Sequence, residues 1–317
     1  MVGEWCICPN RPFLLEKSLP LWYYPFSMEL TIYVFSFAIG CAIGSFLNVC
    51  IYRLPREMSV VNPPSHCPTC GQELAWYDNV PMVSFLLLGG RCRHCGVIIS
   101  GRYALVEFLT GVLFLAVVYR FSTAGGEMSV EHACAMIVVA AALVAASFID
   151  LERQIIPDEI TLPGAALGCL ASVVLPGIHA AADPLLGGIA RAVPGPVFGL
   201  IASVFGAAVG AGFIYLTGLA GKAIFRKDAM GLGDVKLMAM VGAFLGWRAA
   251  LMSIFIGCFF GSVIGVGMLV WRRRKDTRIP FGPYLSLGVV SIMFFDALVI
   301  RAITWWQNFV GSLVAGA

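Results

Sequence analysis

Two aspartates at the edges of long apolar stretches are the residues of this sequence best placed to do chemistry. Asp234 lies in the run Gly231-Leu232-Gly233-Asp234-Val235-Lys236, just before an apolar stretch, and Asp150 ends another one. A charged side chain at membrane depth costs about 2.5–3.5 kcal/mol on insertion scales, so such residues usually mark a site or a paired pocket. Two carboxylates from different segments at one depth suit general acid–base catalysis, in which one activates water and the other, protonated, polarises a carbonyl.

The acids of this sequence also have simpler interpretations. Asp150 itself could be an interfacial residue that closes a membrane span. Asp158 follows a proline and precedes an apolar stretch, so we expect it to cap a helix. Asp296 lies about 20 Å along the last apolar stretch, at 1.5 Å per residue. This depth is too great for a partner of Asp234. No serine or cysteine nucleophile with a matching histidine is apparent in the sequence.

The neighbours of Asp234 suggest supporting roles. Gly231 and Gly233 lack side chains, so they let an extended peptide approach the turn that carries the acid. Lys236 is expected either to neutralise nearby charge or to snorkel to the membrane interface. Glu107 is expected to pair with Arg102 or to line the same cavity.

A second constellation consists of two C-x-x-C pairs, Cys67/Cys70 and Cys92/Cys95, separated by 21 residues. Two such knuckles supply the four thiolates of a tetrahedral structural zinc site, and the segment that holds them has only a small core of its own. We therefore predict a metal site, with zinc or another thiophilic ion, formed by these four cysteines. His66 and His94 lie beside the cysteines, and polar surface is the favoured interpretation for both.

The elements that must position these residues are membrane helices. The chain has 317 residues, of which 59% are hydrophobic and 12% charged, and a net charge of +3 gives no indication of nucleic-acid binding. Apolar stretches of about 17–25 residues match a bilayer core. We predict an all-α polytopic membrane protein of about eight spans, the sixth of them short: residues 28–51, 104–119, 133–149, 160–175, 197–219, 235–245, 249–271 and 282–303.

Basic residues are distributed unequally between the two sets of loops. The connections after spans one, three, five and seven, with their flanks, carry 15 of the 21 basic residues. These are Arg53, Arg56, Arg91, Arg93, Arg102, Arg153, Lys222, Arg226, Lys227, Lys236, Arg272, Arg273, Arg274, Lys275 and Arg278. The positive-inside rule then makes these connections cytoplasmic and directs both termini outward.

This topology defines the domains. Residues 1–27 form an outward lead-in without the pattern of a cleavable signal peptide, and residues 28–51 form the first span. Residues 52–103 form a cytoplasmic four-cysteine domain, and residues 104–317 form the main transmembrane core. A reducing cytosol disfavours disulfides in the cysteine domain. The segment 176–196 is predicted to be an outward loop.

These motifs together resemble the type IV prepilin peptidases, membrane aspartyl proteases of the GxGD type. Residues 231–236 fit the GxGDxK motif of that family, and Asp150 with Ile156-Pro157-Asp158 fits its second motif. Further similar segments are Gly44–Asn48, Tyr52–Pro55, both C-x-x-C knuckles, Arg102–Glu107 and Ile279–Tyr284. The resemblance covers about residues 40–284. Ala104 departs from it, since a proline is usual after Arg-Tyr.

The resemblance implies what spacing alone could not establish, namely that Asp150 and Asp234 are a catalytic pair. It also implies cleavage of leader peptides from prepilin or pseudopilin helices at the cytoplasmic face of the bacterial inner membrane. Family members with the large cysteine-bearing loop usually also methylate the new N-terminus with S-adenosylmethionine, although no nucleotide-binding fingerprint is present here. The alternatives are a peptidase without methyltransferase activity and an ion- or proton-coupled transporter that uses the same acids.

The positions of the two acids on their helices suggest which one carries the shared proton. Asp150 ends a helix, where the helix dipole disfavours negative charge, and Asp234 begins one, where the dipole favours it. We therefore expect Asp150 to hold the proton and Asp234 to deprotonate the water, although such a pair titrates as a unit.

Overall fold

The fold consists of α-helices. The computed structural model describes residues 26–124, 128–179, 185–226, 230–272 and 280–315, and these contain no β-strand. The helices are α1 (Phe26–Arg53), α2 (Val83–Leu87), α3 (Arg102–Thr123), α4 (Val130–Arg153), α5 (Asp158–Val174), α6 (Gly187–Ala192), α7 (Gly195–Phe225), α8 (Leu232–Arg272) and α9 (Gly282–Ala315). The all-α prediction is confirmed.

Five helices in the described part of the chain are long and apolar enough to cross a membrane: α1, α3, α4, α7 and α8. The eight predicted spans all overlap helices, but α5 has 17 residues and the apolar part of α9, Gly282–Asp296, is also short. The number of spans therefore stays a prediction. The lead-in 1–27 lies outside the described residues except for its last two, and the predicted loop 176–196 contains the short helix α6.

The predicted sixth and seventh spans are the two arms of α8, which folds back on itself at Gly246. This glycine has φ 82° and ψ 168°, a conformation that is essentially restricted to glycine. A Cβ placed on Gly210 of α7 would contact both the Met238 carbonyl and the Ala250 methyl group. In a straight helix these two residues would be about 18 Å apart. The two arms therefore run antiparallel along α7.

The predicted last span, 282–303, lies within α9, which bends at Phe295 (φ −128°, ψ 24°). At the bend, the Arg120 guanidinium donates to Asp296 Oδ1 at 2.7 Å and to the Phe294 carbonyl at 3.3 Å. The pairing of Asp296 with Arg120 gives the deep acid a partner at the end of the bundle opposite Asp234. This agrees with the expectation that Asp296 does not pair with Asp234.

Helix α4 lies at the centre of the bundle and carries Asp150. More than half of its apolar window is buried, which is the largest share among the five long helices. Its N-terminus is capped by Ser129, whose hydroxyl accepts the His132 N–H, and its C-terminus ends at Gln154 in the left-handed conformation. The central position fixes Asp150 against helices from both sides.

Candidate active site and cysteine cluster

Asp150 is a buried carboxylate in the last turn of α4, with 6% of its surface exposed. Its Oδ2 accepts the backbone N–H of Gly282, the first residue of α9, at 2.9 Å. A Cβ on Gly282 would lie 2.8 Å from that oxygen, so only a glycine allows this contact without displacement. The carboxylate is therefore held by a helix that is 132 residues away in sequence.

Asp234 lies in the first turn of α8 and is 8% exposed. The backbone N–H of Gly231 bonds to its carboxylate, and Asp150 is close enough to interact with it electrostatically. The structure thus brings together two acids from different helices, at one end of the bundle and largely removed from solvent. Asp150 contacts the N-terminus of α9, and Asp234 lies at the N-terminus of α8. A helix N-terminus thus lies beside each acid, which reduces the helix-dipole difference used to assign the proton from sequence, and the assignment stays a prediction.

The two glycines before Asp234 differ in what surrounds them. A Cβ on Gly233 would lie 2.9 Å from the Ile156 Cβ and 3.4 Å from its backbone nitrogen, so this glycine lets the turn after α4 pack against the start of α8. A Cβ on Gly231 would meet only Asp234 Oδ2 at 3.5 Å and the nitrogen of Gly233. The clearance expected for a peptide thus remains at Gly231, whereas Ile156 occupies the space beside Gly233.

Lys236 forms an ion pair with Asp158, with its Nζ 2.7 Å from both carboxylate oxygens. The expectation that Asp158 caps α5 is wrong, because Pro157 occupies the N-cap position and makes no side-chain cap. Asp158 lies in the first turn and bonds to Lys236 instead. The ion pair ties the start of α5 to the start of α8, one turn away from the acid pair.

Glu107 is not the partner of Arg102, which corrects one of the two expectations for this residue. Arg102 forms an ion pair with Glu152, two residues beyond Asp150. Glu107, which is 9% exposed, accepts the Met82 N–H at 2.7 Å and interacts with the Ser45 hydroxyl. These contacts attach the segment between α1 and α3 to the same end of the bundle as the acids.

The four cysteines form a cluster, as predicted, with the sulfur atoms of Cys67, Cys70, Cys92 and Cys95 all within 4.8 Å of one another. The two knuckles have the same backbone turn: the Gly71 N–H bonds to the Cys67 carbonyl and the Gly96 N–H to the Cys92 carbonyl, both at 2.9 Å, with each glycine at positive φ.

The cluster fits a tetrahedral metal ion. The Sγ atoms of Cys67 and Cys95 are 3.8 Å apart, close to the edge of a tetrahedron with metal–sulfur bonds of about 2.3 Å. Backbone N–H groups of Cys70 and Thr69 lower the pKa of the Cys67 thiol to about 6, which favours the thiolate that binds metal. His66 and His94 are exposed and are not part of the group. The cluster can therefore hold a metal ion through sulfur alone.

Three contacts of the site were not anticipated from the sequence: Gly282 with Asp150, Ile156 with Gly233, and Glu152 with Arg102. The segment containing Gly282 was noted for its resemblance, without a role. Such pairings between distant residues depend on how the helices pack, and local spacing carries no signal for them.

Two family models match the chain. Residues 38–121 match the Bacterial Peptidase A24 N-terminal domain, and residues 137–266 match the type IV leader peptidase family. These ranges include the cysteine cluster and both acids. No solved structure is significantly similar to the chain.

Curated relatives share most of the chain. A prepilin leader peptidase/N-methyltransferase of Myxococcus xanthus is 39% identical over 265 residues, which cover 84% of this chain and 70% of the relative. A protein of the same name from Pseudomonas aeruginosa is 33% identical and covers 88% of this chain and 96% of the relative. Another protein of this name, from Xanthomonas campestris, is 34% identical, and the match covers 81% of this chain and 89% of the relative.

The helical bundle and its buried acid pair define a polytopic membrane protein with a two-carboxylate site at one end. With the matches above, the chain belongs to the type IV leader peptidase family.

Proposed function

We propose that this protein cleaves the leader peptides of type IV prepilins or pseudopilins, with Asp150 and Asp234 as the catalytic pair, and then N-methylates the new N-terminus. The observation that carries the proposal is the meeting of these two buried carboxylates from α4 and α8. Family membership and the names of the relatives support the same activities. They favour a peptidase over a transporter that uses the same acids.

In the proposed mechanism, the pair shares one proton and activates a water molecule between the two carboxyl groups. The ionised carboxylate takes a proton from the water, which attacks the peptide carbonyl, while the protonated carboxyl donates to the carbonyl oxygen. Proton transfer to the leaving amine then breaks the C–N bond. Gly282 holds Asp150 in place through its N–H, and the Lys236–Asp158 ion pair holds α8 against α5.

The substrate is itself an apolar helix, so its cleavage site must become extended at the membrane edge. The open side of Gly231 offers room beside Asp234 for such a backbone. The acid pair lies at the helix ends rather than in mid-bundle, which suits a peptide entering from the membrane surface. We propose that this surface is the cytoplasmic face of the bacterial inner membrane and that both termini face outward, because 15 of the 21 basic residues flank the connections on that side.

The cofactors follow from the same proposal. Zinc would bind Cys67, Cys70, Cys92 and Cys95 and stabilise the small domain that they close, since a segment of this size buries little apolar surface. S-adenosylmethionine would supply the methyl group for the second activity.

Cleavage of a prepilin by the purified protein tests the proposal. We expect Asp150→Asn and Asp234→Asn each to lower the cleavage rate by about a thousandfold or more, since either change removes one partner of the acid–base pair. Asp296→Asn is the matched control, because this acid also belongs to a membrane helix but pairs with Arg120 at the opposite end. Cleavage at the wild-type rate in either catalytic variant, or its loss in the control, would contradict the assignment.

A further inference from the structure

A groove of about 450 Å³ runs between the cytoplasmic half of α1 and the cysteine-bearing segment. Ser45, Val49 and Arg53 of α1 form one side, and Val60, Pro63 and Asn79 belong to the other. Its volume lies within the range of small-molecule sites. Most of its lining residues are apolar by type, but about half of the lining surface is polar. The acid pair and the metal ligands do not line it.

The groove contains a buried cation without an acidic partner. Arg53 is only 6% exposed, and its guanidinium donates to the carbonyls of Ser59 at 3.0 Å and Pro63 at 2.6 Å. Among the residues that the structure describes, no carboxylate forms an ion pair with it. A buried charge is costly unless an opposite charge compensates it. An arginine in this state, lining a groove, indicates an anionic group on the ligand.

The other end of the groove lies beside a buried acid, although no acidic side chain is among its lining residues. Ser45 lines it two turns of α1 away from Arg53, at a distance of about 12 Å along the helix axis. Behind Ser45 lies the buried Glu107, which interacts with the Ser45 hydroxyl. A ligand with a carboxylate on one arm and a polar ring system on the other matches the position of Arg53 and the mixed apolar and polar lining.

The groove and the acid pair lie at the same end of the bundle. Arg102, at the start of α3, pairs with Glu152, two residues after Asp150. Five residues further along α3, Glu107 accepts the Met82 N–H. This bond holds the segment beside the groove against α3. A peptide released at the acids would therefore have its new N-terminus at the membrane face onto which the groove opens.

We propose that this groove binds S-adenosylmethionine, with the carboxylate of its methionyl arm on Arg53. The inference rests on the proposed methyltransferase activity and gives that activity a site. The methyl group passes from the sulfonium sulfur to the free amine of the cleaved peptide. The C–S bond breaks, a C–N bond forms, the nitrogen releases one proton, and S-adenosylhomocysteine remains as a neutral thioether.

Equilibrium binding to the full-length protein in lipid nanodiscs tests the site without requiring turnover. The probes are S-adenosylhomocysteine and 5′-methylthioadenosine. The second probe has the same nucleoside thioether as the first but lacks the amino-acid arm. Arg53→Gln keeps amide donors for the carbonyls and removes the charge. We expect it to weaken S-adenosylhomocysteine binding by about tenfold, as loss of a charge-assisted bond does, and to leave methylthioadenosine binding nearly unchanged. An equal loss for both probes would indicate a purely structural arginine and overturn the proposal.

A second variant tests the groove independently of Arg53. Asn79→Trp places a large ring among the lining residues, and Val80→Trp places the same ring at the next position, which does not line the groove. We expect Asn79→Trp to weaken the binding of both probes by at least about tenfold. Val80→Trp should leave the binding of both probes unchanged. Wild-type binding by Asn79→Trp would overturn the proposal.

Lipid headgroups offer the other source of an anion. S-adenosylhomocysteine should bind equally in neutral phosphatidylcholine and anionic phosphatidylglycerol discs, whereas competition by the anionic lipid would assign the groove to headgroups and overturn the proposal. Cleavage of prepilin by the wild type is measured separately. Absence of cleavage would contradict the proposed peptidase activity. Absence of probe binding with cleavage intact would overturn only the proposed site in the groove.

Discussion

Asp150, one of the two proposed catalytic residues, shows how much of a side chain's environment comes from distant parts of the chain. Helix α4 carries Asp150 in its last turn and thereby sets the depth of this residue in the bundle. The hydrogen bond to the carboxylate, however, comes from Gly282, the first residue of α9. The identity of Gly282 matters because any side chain there would enter the space of the carboxylate. If Asp150 is catalytic as proposed, Gly282 is a positioning residue, which acts through Asp150 rather than on the substrate.

Replacement of Gly282 by alanine tests this role. The added methyl group would lie 2.8 Å from Asp150 Oδ2, so the carboxylate must move. Small displacements of a reacting group have large kinetic effects, and we expect kcat for prepilin cleavage to fall by about 10–100-fold with little change in KM. Steady-state kinetics with a prepilin substrate measure both constants.

The matched control is Gly212→Ala, because this membrane-helix glycine has no atom within 4 Å of an added Cβ. It should retain the wild-type kcat. An unchanged kcat in Gly282→Ala, or an equal fall in the control, would show that the contact with Asp150 does not position the acid.

At the scale of whole elements, the sequence predicted the type of structure better than its geometry. Apolar length alone located the helices, because a bilayer core requires about 20 apolar residues per span. It also ended the short sixth span just before Gly246, where the chain reverses within α8. The bend in α9 at Phe295 had no local signal. A bend of this kind is set by what the helix packs against, which a single sequence does not contain.

The cysteine segment is the element whose local pattern was most informative. Two C-x-x-C pairs were enough to predict the cluster, because each knuckle folds through its own backbone turn. The contacts that join the segment to α1 and α3 do not involve the cysteines. A metal ion would join the two knuckles to each other, which these contacts do not do.

Removal of one ligand tests the metal site. We expect purified wild-type protein to contain about one zinc ion per chain and Cys92→Ser to lose most of it, with faster proteolysis of residues 54–101, because three thiolates leave the tetrahedral site incomplete. Elemental analysis by mass spectrometry measures the metal content. Cys134→Ser is the control, since this exposed cysteine lies outside the cluster. Equal metal content in all three proteins, or none in the wild type, would refute the zinc site.

At the scale of the molecule, one end of the bundle gathers what the proposed activities need. The acid pair, the Lys236–Asp158 ion pair and the Arg102–Glu152 ion pair all lie there, and the cysteine segment is joined to it through Glu107. The opposite end carries the Arg120–Asp296 pair and the reversal of α8 at Gly246. The sequence anticipated this division through its charge distribution, whereas the ion pairs within each end became visible only in the packed structure.

The orientation of these two ends in the membrane can be measured with a membrane-impermeant maleimide. Arg248 and Glu57 are both exposed and lie near opposite ends of the bundle, Arg248 just after the reversal of α8 and Glu57 just after α1. The excess of basic residues around the connections on the side of Glu57 predicts that this side faces the cytoplasm. We therefore expect Arg248→Cys to be labelled in cells with a permeabilised outer membrane, and Glu57→Cys to be labelled only after the inner membrane is opened. Labelling of the unmodified chain gives the background from native cysteines, and the reverse order of labelling would place the acid pair on the outer face and refute cleavage from the cytoplasm.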